Sequence, residues 1–230
     1  MAIERHTFSS VQALADALAD CVAANLLSGI NERGAAVLAV SGGSTPKLFF
    51  KALALRPIDW SKVSVTLVDE RWVGPDSDRS NARLVNENLL TGAAASARFV
   101  PLWSGGDEPD EAALARTNGH LSDLASPFDA VILGMGNDGH TASFFPGGNT
   151  LHEALTSNGP ALPLAAPGAG ETRITLTLPV LLNTKALYLH IEGPDKAASL
   201  EKALGEGTVE DMPVRAVLRQ ARTPVDIYHA

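Results

Sequence analysis

Asp138 and His140 stand two residues apart in the stretch GMGNDGHTASFFPG, residues 134–147, with glycines at 134, 136 and 139 around them. Imidazole titrates near neutral pH, at about 6.5 when unperturbed, so His140 is the best candidate to take up and return a proton. A carboxylate beside it would hold the ring in one tautomer. Asp138 is one candidate for that role, and Asp69, from another strand, is a second. The glycines leave the backbone free to adopt positive φ and to approach a ligand closely. Seen alone, such a turn is more often a surface turn with an ordinary Asp and His. Two further polar stretches, SGGSTP at 41–46 and VDER at 68–71, argue instead for a site.

SGGSTP offers backbone N–H groups, the hydroxyls of Ser44 and Thr45 and the N-terminus of a following helix, a combination suited to cradling phosphate. It lacks the Gly-Lys-Ser/Thr ending of a Walker loop and the glycine spacing of a dinucleotide fingerprint, which favours a small phosphorylated metabolite over a nucleotide. With 26 acidic against 18 basic residues the net charge is -8, so an anionic ligand needs a local cluster of cations. Arg173 and Lys196 could supply it, the first as a bidentate fork and the second as a point charge. Spacing alone favours a solvated surface cation for either. The acidic balance speaks against non-specific binding to nucleic acid or to anionic membranes. No HExxH and no cysteine pair supports a metal site, and no GxSxG supports a serine hydrolase. Ser41 and Ser44 are therefore read as phosphate donors rather than nucleophiles. His6, His120, His152, His190 and His229 lie in no comparable cluster, and a surface or packing role is the default for each.

These residues must be held by elements that the apolar pattern outlines. Ser9 and Gln12 fit a capping box, and Val11, Leu14, Leu18, Val22 and Leu26 recur at helical spacing up to Gly29. AAVLAV at 35–40 reads as a strand buried on both faces, with Thr45 as cap and Pro46 as first residue of the helix KLFFKALAL. VSVTLVD at 63–69 repeats the strand pattern and delivers Asp69, Glu70 and Arg71 at its end. A helix over about 82–90 has Ser80 or Asn81 as cap, RFVPLW is an edge strand or a loop because of Pro101, and residues 110–125 are weakly helical. DAVIL at 129–133 precedes the central stretch, ALPLAAPG at 161–168 is too rich in proline for a strand, and a turn and short helix near 179–184 lead to a strand at 186–191. The next helix opens with Lys196, and PVDIYH at 224–229 is expected as the last strand. This alternation specifies an α/β fold with an open, mostly parallel, Rossmann-like sheet and helices on both faces, in which ligands bind at the carboxyl ends of the strands. Four polar clusters follow such strands.

A chain of 230 residues, 45% hydrophobic and 19% charged, suits one soluble domain over residues 1–230. Glu4, Arg5 and His6 fall where a signal peptide has its apolar core, and no stretch reads as approaching the roughly 18–20 apolar residues of a membrane span, so a cytoplasmic protein is expected. The single cysteine, Cys21, is read as a buried inert thiol on the apolar side of the first helix.

SGGSTPKLFF, VDERWV followed by DSDRSN, GMGNDGHTASFFPG, and RITLTLPVLLNTKALYLHIEG with Lys196 together resemble, in order and over nearly the full chain, the 6-phosphogluconolactonase family of the pentose phosphate pathway. The resemblance implies a fold similar to those of glucosamine-6-phosphate deaminase and ribose-5-phosphate isomerase A. It implies hydrolysis of 6-phosphogluconolactone, a small sugar-phosphate lactone, without cofactor. A monomer is expected, with an oligomer left open. Carried over position by position, the catalytic histidine falls on His140 and its companion carboxylate on Asp138. The family's aspartate and arginine fall on Asp69 and Arg71, and its phosphate loop on Gly42, Gly43, Ser44 and Thr45, with Arg173 and Lys196 as phosphate cations. The chain after Lys196 matches only in general character. Hydrolysis would follow from His140 activating water, with the oxyanion met either by backbone N–H groups of the glycine-rich turn or by Arg71.

Two rival readings are set aside. A sugar-phosphate deaminase on the same fold carries a glutamate for ring opening where this chain has Phe145, which cannot transfer protons. A sugar-phosphate sensor of the transcription-regulator kind needs a DNA-binding segment, and the first helix begins by about residue 10 with no helix-turn-helix before it.

Overall fold

In the computed structural model, which describes residues 3–230, seven parallel strands form a central sheet. They are β1 (Ile3–Thr7), β2 (Ala36–Val40), β3 (Val63–Leu67), β5 (Arg98–Val100), β6 (Ala130–Leu133), β9 (Leu187–Ile191) and β10 (Val225–His229), in the spatial order β1-β10-β9-β6-β2-β3-β5. The inner strands β2, β6 and β9 are buried at every residue, as strands covered on both faces must be. The chain runs outward from β2 through β3 to β5 and then returns to the other side of β2 with β6. Strand order therefore reverses between β2 and β6, and the loops that follow them diverge to open a crevice at their carboxyl ends.

A second, antiparallel sheet stands beside this crevice, built from β4 (Asp69–Arg71), β7 (Ala161–Leu164) and β8 (Arg173–Leu176) with β8 in the middle. Three sequence expectations change here. VSVTLVD is not one strand: Val68 donates its N–H to Val40 O at 3.0 Å and accepts from Leu176 N at 2.9 Å, so it joins the two sheets and hands the chain from β3 to β4. ALPL does form a strand, because β7 is an edge, where Pro163 can be tolerated. RITL, read as a turn, is β8. The N-terminal strand β1 was also not expected; it is a partly exposed edge held by β10.

The described chain also forms eight α-helices, α1 (Val11–Arg33), α2 (Lys47–Ala54), α3 (Asn81–Asn88), α4 (Glu111–Ser122), α5 (Leu151–Thr156), α6 (Leu178–Leu181), α7 (Pro194–Leu204) and α8 (Val214–Arg219), and two short 3-10 helices at Trp60–Lys62 and Gly92–Ser96. The cap of α1 is Ser10 rather than Ser9, its Oγ accepting from Ala13 N at 3.2 Å, and the helix ends at Gly34 in the left-handed region, φ 79. Gly29 does not stop it. It lies inside the helix because the Asp129 carboxylate occupies the space of a side chain there; an added Cβ would sit 2.3 Å from Asp129 Oδ1. Asp129, fully buried, accepts from Arg33 Nη2 at 2.6 and 2.7 Å and from Val37 N at 2.8 Å, tying the end of α1 to the starts of β2 and β6. By length and composition α1 could cross a membrane, contrary to the sequence expectation. In this fold Leu14, Leu18, Val22 and Leu26 are fully buried on its inner face, while Asp16 and Asp20 on the outer face pair with Arg56. Cys21 is half-buried rather than enclosed, and accepts from the Tyr228 hydroxyl at 3.1 Å.

Candidate active site

The crevice holds a cleft of ≈ 280 Å³ to which every sequence-predicted site residue except Asp138 contributes: Gly42, Gly43, Ser44, Thr45, Asp69, Arg71, His140, Arg173 and Lys196. Its size is near the lower end of about 300–1,000 Å³ for small-molecule pockets, which suits a single sugar phosphate better than a dinucleotide.

The wall from the loop after β6 carries His140, with Asp138 behind it. His140 Nδ1 lies 2.6 Å from Asp138 Oδ1, and the same oxygen accepts from the His140 backbone N–H at 3.1 Å. With Nδ1–H donated to the carboxylate, Nε2 keeps its lone pair, the tautomer that a base requires. Burial by itself would raise the Asp138 pKa, but the hydrogen bond and charge of His140 outweigh it and hold the carboxyl below its ordinary value. Asp138 sits behind the histidine. Gly136 makes the turn possible: a Cβ on it would lie 2.2 Å from His140 Nδ1 and 2.6 Å from Asp138 Oδ1. Gly139 adopts φ 79 and Ala142, a non-glycine, is held at φ 47, a left-handed conformation that marks strain in the loop. Phe145 stacks on the His140 ring with centroids 4.2 Å apart and planes at 25°. The next helix, α5, starts only at Leu151.

The second sheet supplies the opposite wall. Asp69 is nearly buried and does not hold His140. Its Oδ2 accepts from Ser143 Oγ at 2.5 Å, and Asn81 Nδ2 donates to its carbonyl at 3.0 Å. Arg71 Nη1 donates to Arg79 O at 2.6 Å, whereas its buried Nε has no protein partner. Glu70, between them, turns away from the cleft and is fully buried, accepting from the backbone N–H groups of Arg71, Asn81 and Ala82 at 2.8, 2.8 and 2.7 Å and from Ser80 Oγ at 3.2 Å. Burial raises its carboxyl pKa and those amide donors oppose the rise. It anchors the N-terminus of α3, capped as expected by Ser80. Arg173, paired with Arg71 across β4 and β8, donates from Nη2 to Ala169 O at 2.5 Å, and its Cζ lies 5.4 Å from the Phe145 centroid, within reach of a cation–π contact. Burial lowers its pKa.

The loop after β2 forms the third wall. α2 begins at Lys47 with Pro46 in the cap position and no side-chain cap, so Thr45 is left for another task. Its Oγ1 accepts from Lys196 Nζ at 2.9 Å, which joins the loop to the first turn of α7. Gly43 adopts φ 90, and at Gly42 a Cβ would lie 1.8 Å from Asn81 Oδ1, so both glycines are required by geometry. Among the described residues, the amides of Gly43, Ser44 and Thr45 donate to no protein acceptor and remain available to an anion. Ser41 is not a phosphate donor: its hydroxyl proton goes to Ile132 O at 2.7 Å.

Several cleft residues escaped the sequence reading. Asn81 was considered only as a cap. His190, given a packing role by default, is 2% exposed, lines the cleft and has Nε2 3.1 Å from Glu192 Oε1. Its signal was a lone histidine in the otherwise apolar run LYLHI, two residues before a carboxylate at a strand's carboxyl end. The one group of His and carboxylates within metal-ligand reach among the described residues, Glu4, His6 and Asp226, shares no residue with the cleft.

Residues 9–225 match the family model described as glucosamine-6-phosphate isomerases/6-phosphogluconolactonase. A 6-phosphogluconolactonase of Rhizobium meliloti is 53% identical over 232 residues, covering 100% of both chains. The structure of a 6-phosphogluconolactonase from Shewanella baltica superposes with a TM-score of 0.95 at 42% identity, covering 99% of this chain and 97% of that one. A monomeric glucosamine-6-phosphate deaminase, 20% identical with a TM-score of 0.76 over 98% of this chain and 97% of its own, shares the fold.

Proposed function

The chain belongs to the family of glucosamine-6-phosphate isomerases and 6-phosphogluconolactonases, and from that premise we propose that it hydrolyses 6-phospho-D-glucono-1,5-lactone to 6-phospho-D-gluconate in the oxidative pentose phosphate pathway, with His140 as general base. The observation that carries the reading is that His140, backed by Asp138, shares one cleft with the Lys196–Thr45 contact and the free amides of the SGGST loop. One group of residues can move a proton, and the other can hold a phosphate.

Lys196, Arg173 and the N–H groups of the loop after β2 bind the phosphate and orient the ring. His140 Nε2 takes a proton from a water molecule, which attacks the lactone carbonyl. Asp138 stabilises the imidazolium that forms. The tetrahedral oxyanion is met by Arg71 or by amides of the glycine-rich turn, and on its collapse the ring C–O bond breaks and His140 returns the proton to the departing oxygen. Asp69, held by Ser143, keeps its other oxygen for a substrate hydroxyl. No covalent intermediate, cofactor or metal is needed. The chain works as one domain and as a monomer in the cytoplasm. Phe145, stacked on His140, is the reason for preferring hydrolysis to deamination, because the position offers no proton-transfer group.

The test is product formation from freshly generated 6-phosphogluconolactone, corrected for spontaneous opening. Hydrolysis well above the spontaneous rate is expected. Binding of sugar phosphates without turnover would instead favour a sensor.

A further inference from the structure

His190 brings to the cleft an imidazole with one polar atom unused. All residues of β9 are buried, yet His190 lines the cleft together with Ser44, Thr45, Pro46 and Lys196. Its ring stands edge-on to Phe49, with centroids 6.1 Å apart, and Phe49 lies in the first turn of α2, directly after the loop whose amides are free. Further along the same segment, Lys196 Nζ reaches Thr45 Oγ1 at 2.9 Å, so the stretch from His190 to Lys196 packs on the start of α2 at one end and on the SGGST loop at the other. Nε2 of His190 is 3.1 Å from Glu192 Oε1, and since an ionised carboxylate only accepts, the ring proton belongs on Nε2. Nδ1 then keeps a lone pair and has no protein partner among the described residues. A buried polar atom left unpaired is costly, and here the cleft is where its partner can come from.

We propose that His190 is a further phosphate-binding residue: a phosphate oxygen docks on Nδ1 with one proton taken up from solvent and held between the two atoms, while Glu192 accepts from Nε2 and steadies the ring. The inference rests on the reading of the SGGST loop and Lys196 as the phosphate site. A phosphate monoester is a dianion above its second pKa near 6, and a dianion repels the Nδ1 lone pair unless a proton joins them. Imidazole is the side chain that gains such a proton near neutral pH. With phosphate on one ring nitrogen and a carboxylate on the other, its positive charge is compensated on both sides. The neighbouring elements add few competing charges. From α2 the ring meets Phe49, and Lys47 of that helix is exposed. On β10 its register partner is Tyr228, whose phenol burial keeps neutral. α7 brings Lys196 to the same cleft while its Asp195 is exposed, and the remaining charged lining, Asp69, Arg71, Arg173 and His140, comes from β4, β8 and the loop after β6.

The test is calorimetry of 6-phosphogluconate binding at about pH 8, where the phosphate is already a dianion, in buffers of different ionisation enthalpy, which counts the protons taken up. Wild type should take up about one proton more than His190→Leu, whose side chain keeps the packing on Phe49, and should bind roughly tenfold tighter. His190→Asn sets an amide N–H near the place of Nδ1 and needs no proton, so it should recover part of the affinity without the uptake. Between about pH 7 and 9 wild-type affinity should fall by up to roughly tenfold per pH unit, and that of His190→Asn by less. The difference between His190 and its variants should persist in His140→Ala and in Lys196→Arg, backgrounds without the other imidazole and the amine that could take up a proton. In turnover, His190→Leu should lose more kcat/KM with 6-phosphogluconolactone than with unphosphorylated gluconolactone, a split that a packing defect would not give. Equal proton uptake in wild type and folded His190→Leu, or wild-type affinity in that variant while Lys196→Ala binds weakly, overturns the proposal and leaves the phosphate site standing. Wild-type affinity in Lys196→Ala would overturn the phosphate assignment and this inference together.

Discussion

His140 can act as a base only while Nε2 is free and the ring is held still, and both conditions come from one carboxylate oxygen 2.6 Å from Nδ1. Removing a general base typically costs about 10²–10⁴ in rate, so His140→Ala should keep its fold and substrate affinity and lose kcat by a factor in that range. Wild-type kcat/KM should fall on acidification as the imidazole takes up a proton, and this limb should be absent from His140→Ala. Because Asp138 is held below the usual carboxylate range, it stays ionised across that limb. Assays with fresh lactone, corrected for its spontaneous opening, decide the matter; a folded His140→Ala within a few-fold of wild type would mean that the base is elsewhere. Gly136→Ala tests the same geometry from the backbone. Its Cβ would lie 2.2 Å from His140 Nδ1, so the ring must rotate off Asp138, and kcat should drop while the far-ultraviolet circular dichroism spectrum stays the same.

At the scale of elements, two buried carboxylates hold the frame on which the site stands. Asp129 joins α1, β2 and β6, and Gly29 exists to admit it. Gly29→Ala would gain helix propensity worth about 1 kcal/mol but force a methyl into an ion pair, where overpacking typically costs about 1–3 kcal/mol and breaking a buried pair more. Net destabilisation is expected, read as a lower midpoint in urea; an unchanged or higher midpoint would show that the pair moves aside freely. Glu70 does the corresponding work for α3, receiving two amide protons at the helix start, from Asn81 and Ala82, and a third from Arg71 beside it. Replacing it with Gln turns one acceptor into a donor facing donors, so Glu70→Gln should lower stability by roughly 1–3 kcal/mol and disturb Asp69 and Arg71 on either side.

For the whole molecule, the reversal of strand order between β2 and β6 sets the SGGST loop next to the loop that carries His140, while the second sheet closes the cleft with Asp69, Arg71 and Arg173. On the proposed reading, phosphate recognition is therefore shared by parts far apart in the chain. Lys196→Ala or Arg173→Ala should each raise KM, by an amount equivalent to about 2–3 kcal/mol if a charged hydrogen bond is lost, and unphosphorylated gluconolactone should be a poor substrate. Equal kcat/KM for the two lactones would show that the loop after β2 and its cations do not bind phosphate. Activity should also survive exhaustive chelation, and restoration by zinc or magnesium of activity lost to a chelator would overturn the mechanism.

What the chain determined by itself is whatever a few neighbouring residues can decide. Asp138 and His140 meet because they are two apart in a turn that glycine permits, and the buried strands β2, β6 and β9 announce themselves as short apolar runs followed by polar loops. The motifs could therefore be located before the fold was seen. Strand order could not, since hydrophobic runs state that a strand is buried but not which strand lies beside it. The same limit hid β8, whose four buried residues are too short and too polar to show a pattern, and β7, whose proline is harmless only because the tertiary structure makes it an edge. Helix ends moved for a related reason. Gly29 looked like a stop because glycine is costly within a helix, until Asp129, 100 residues later, supplied the reason for a missing side chain. Ser143 on Asp69, Thr45 on Lys196 and His190 in the cleft likewise depend on contacts between segments whose separation in sequence leaves no local trace. Those contacts form only once the sheet has set its order, and that is where the tertiary structure, rather than the sequence pattern, decides the site.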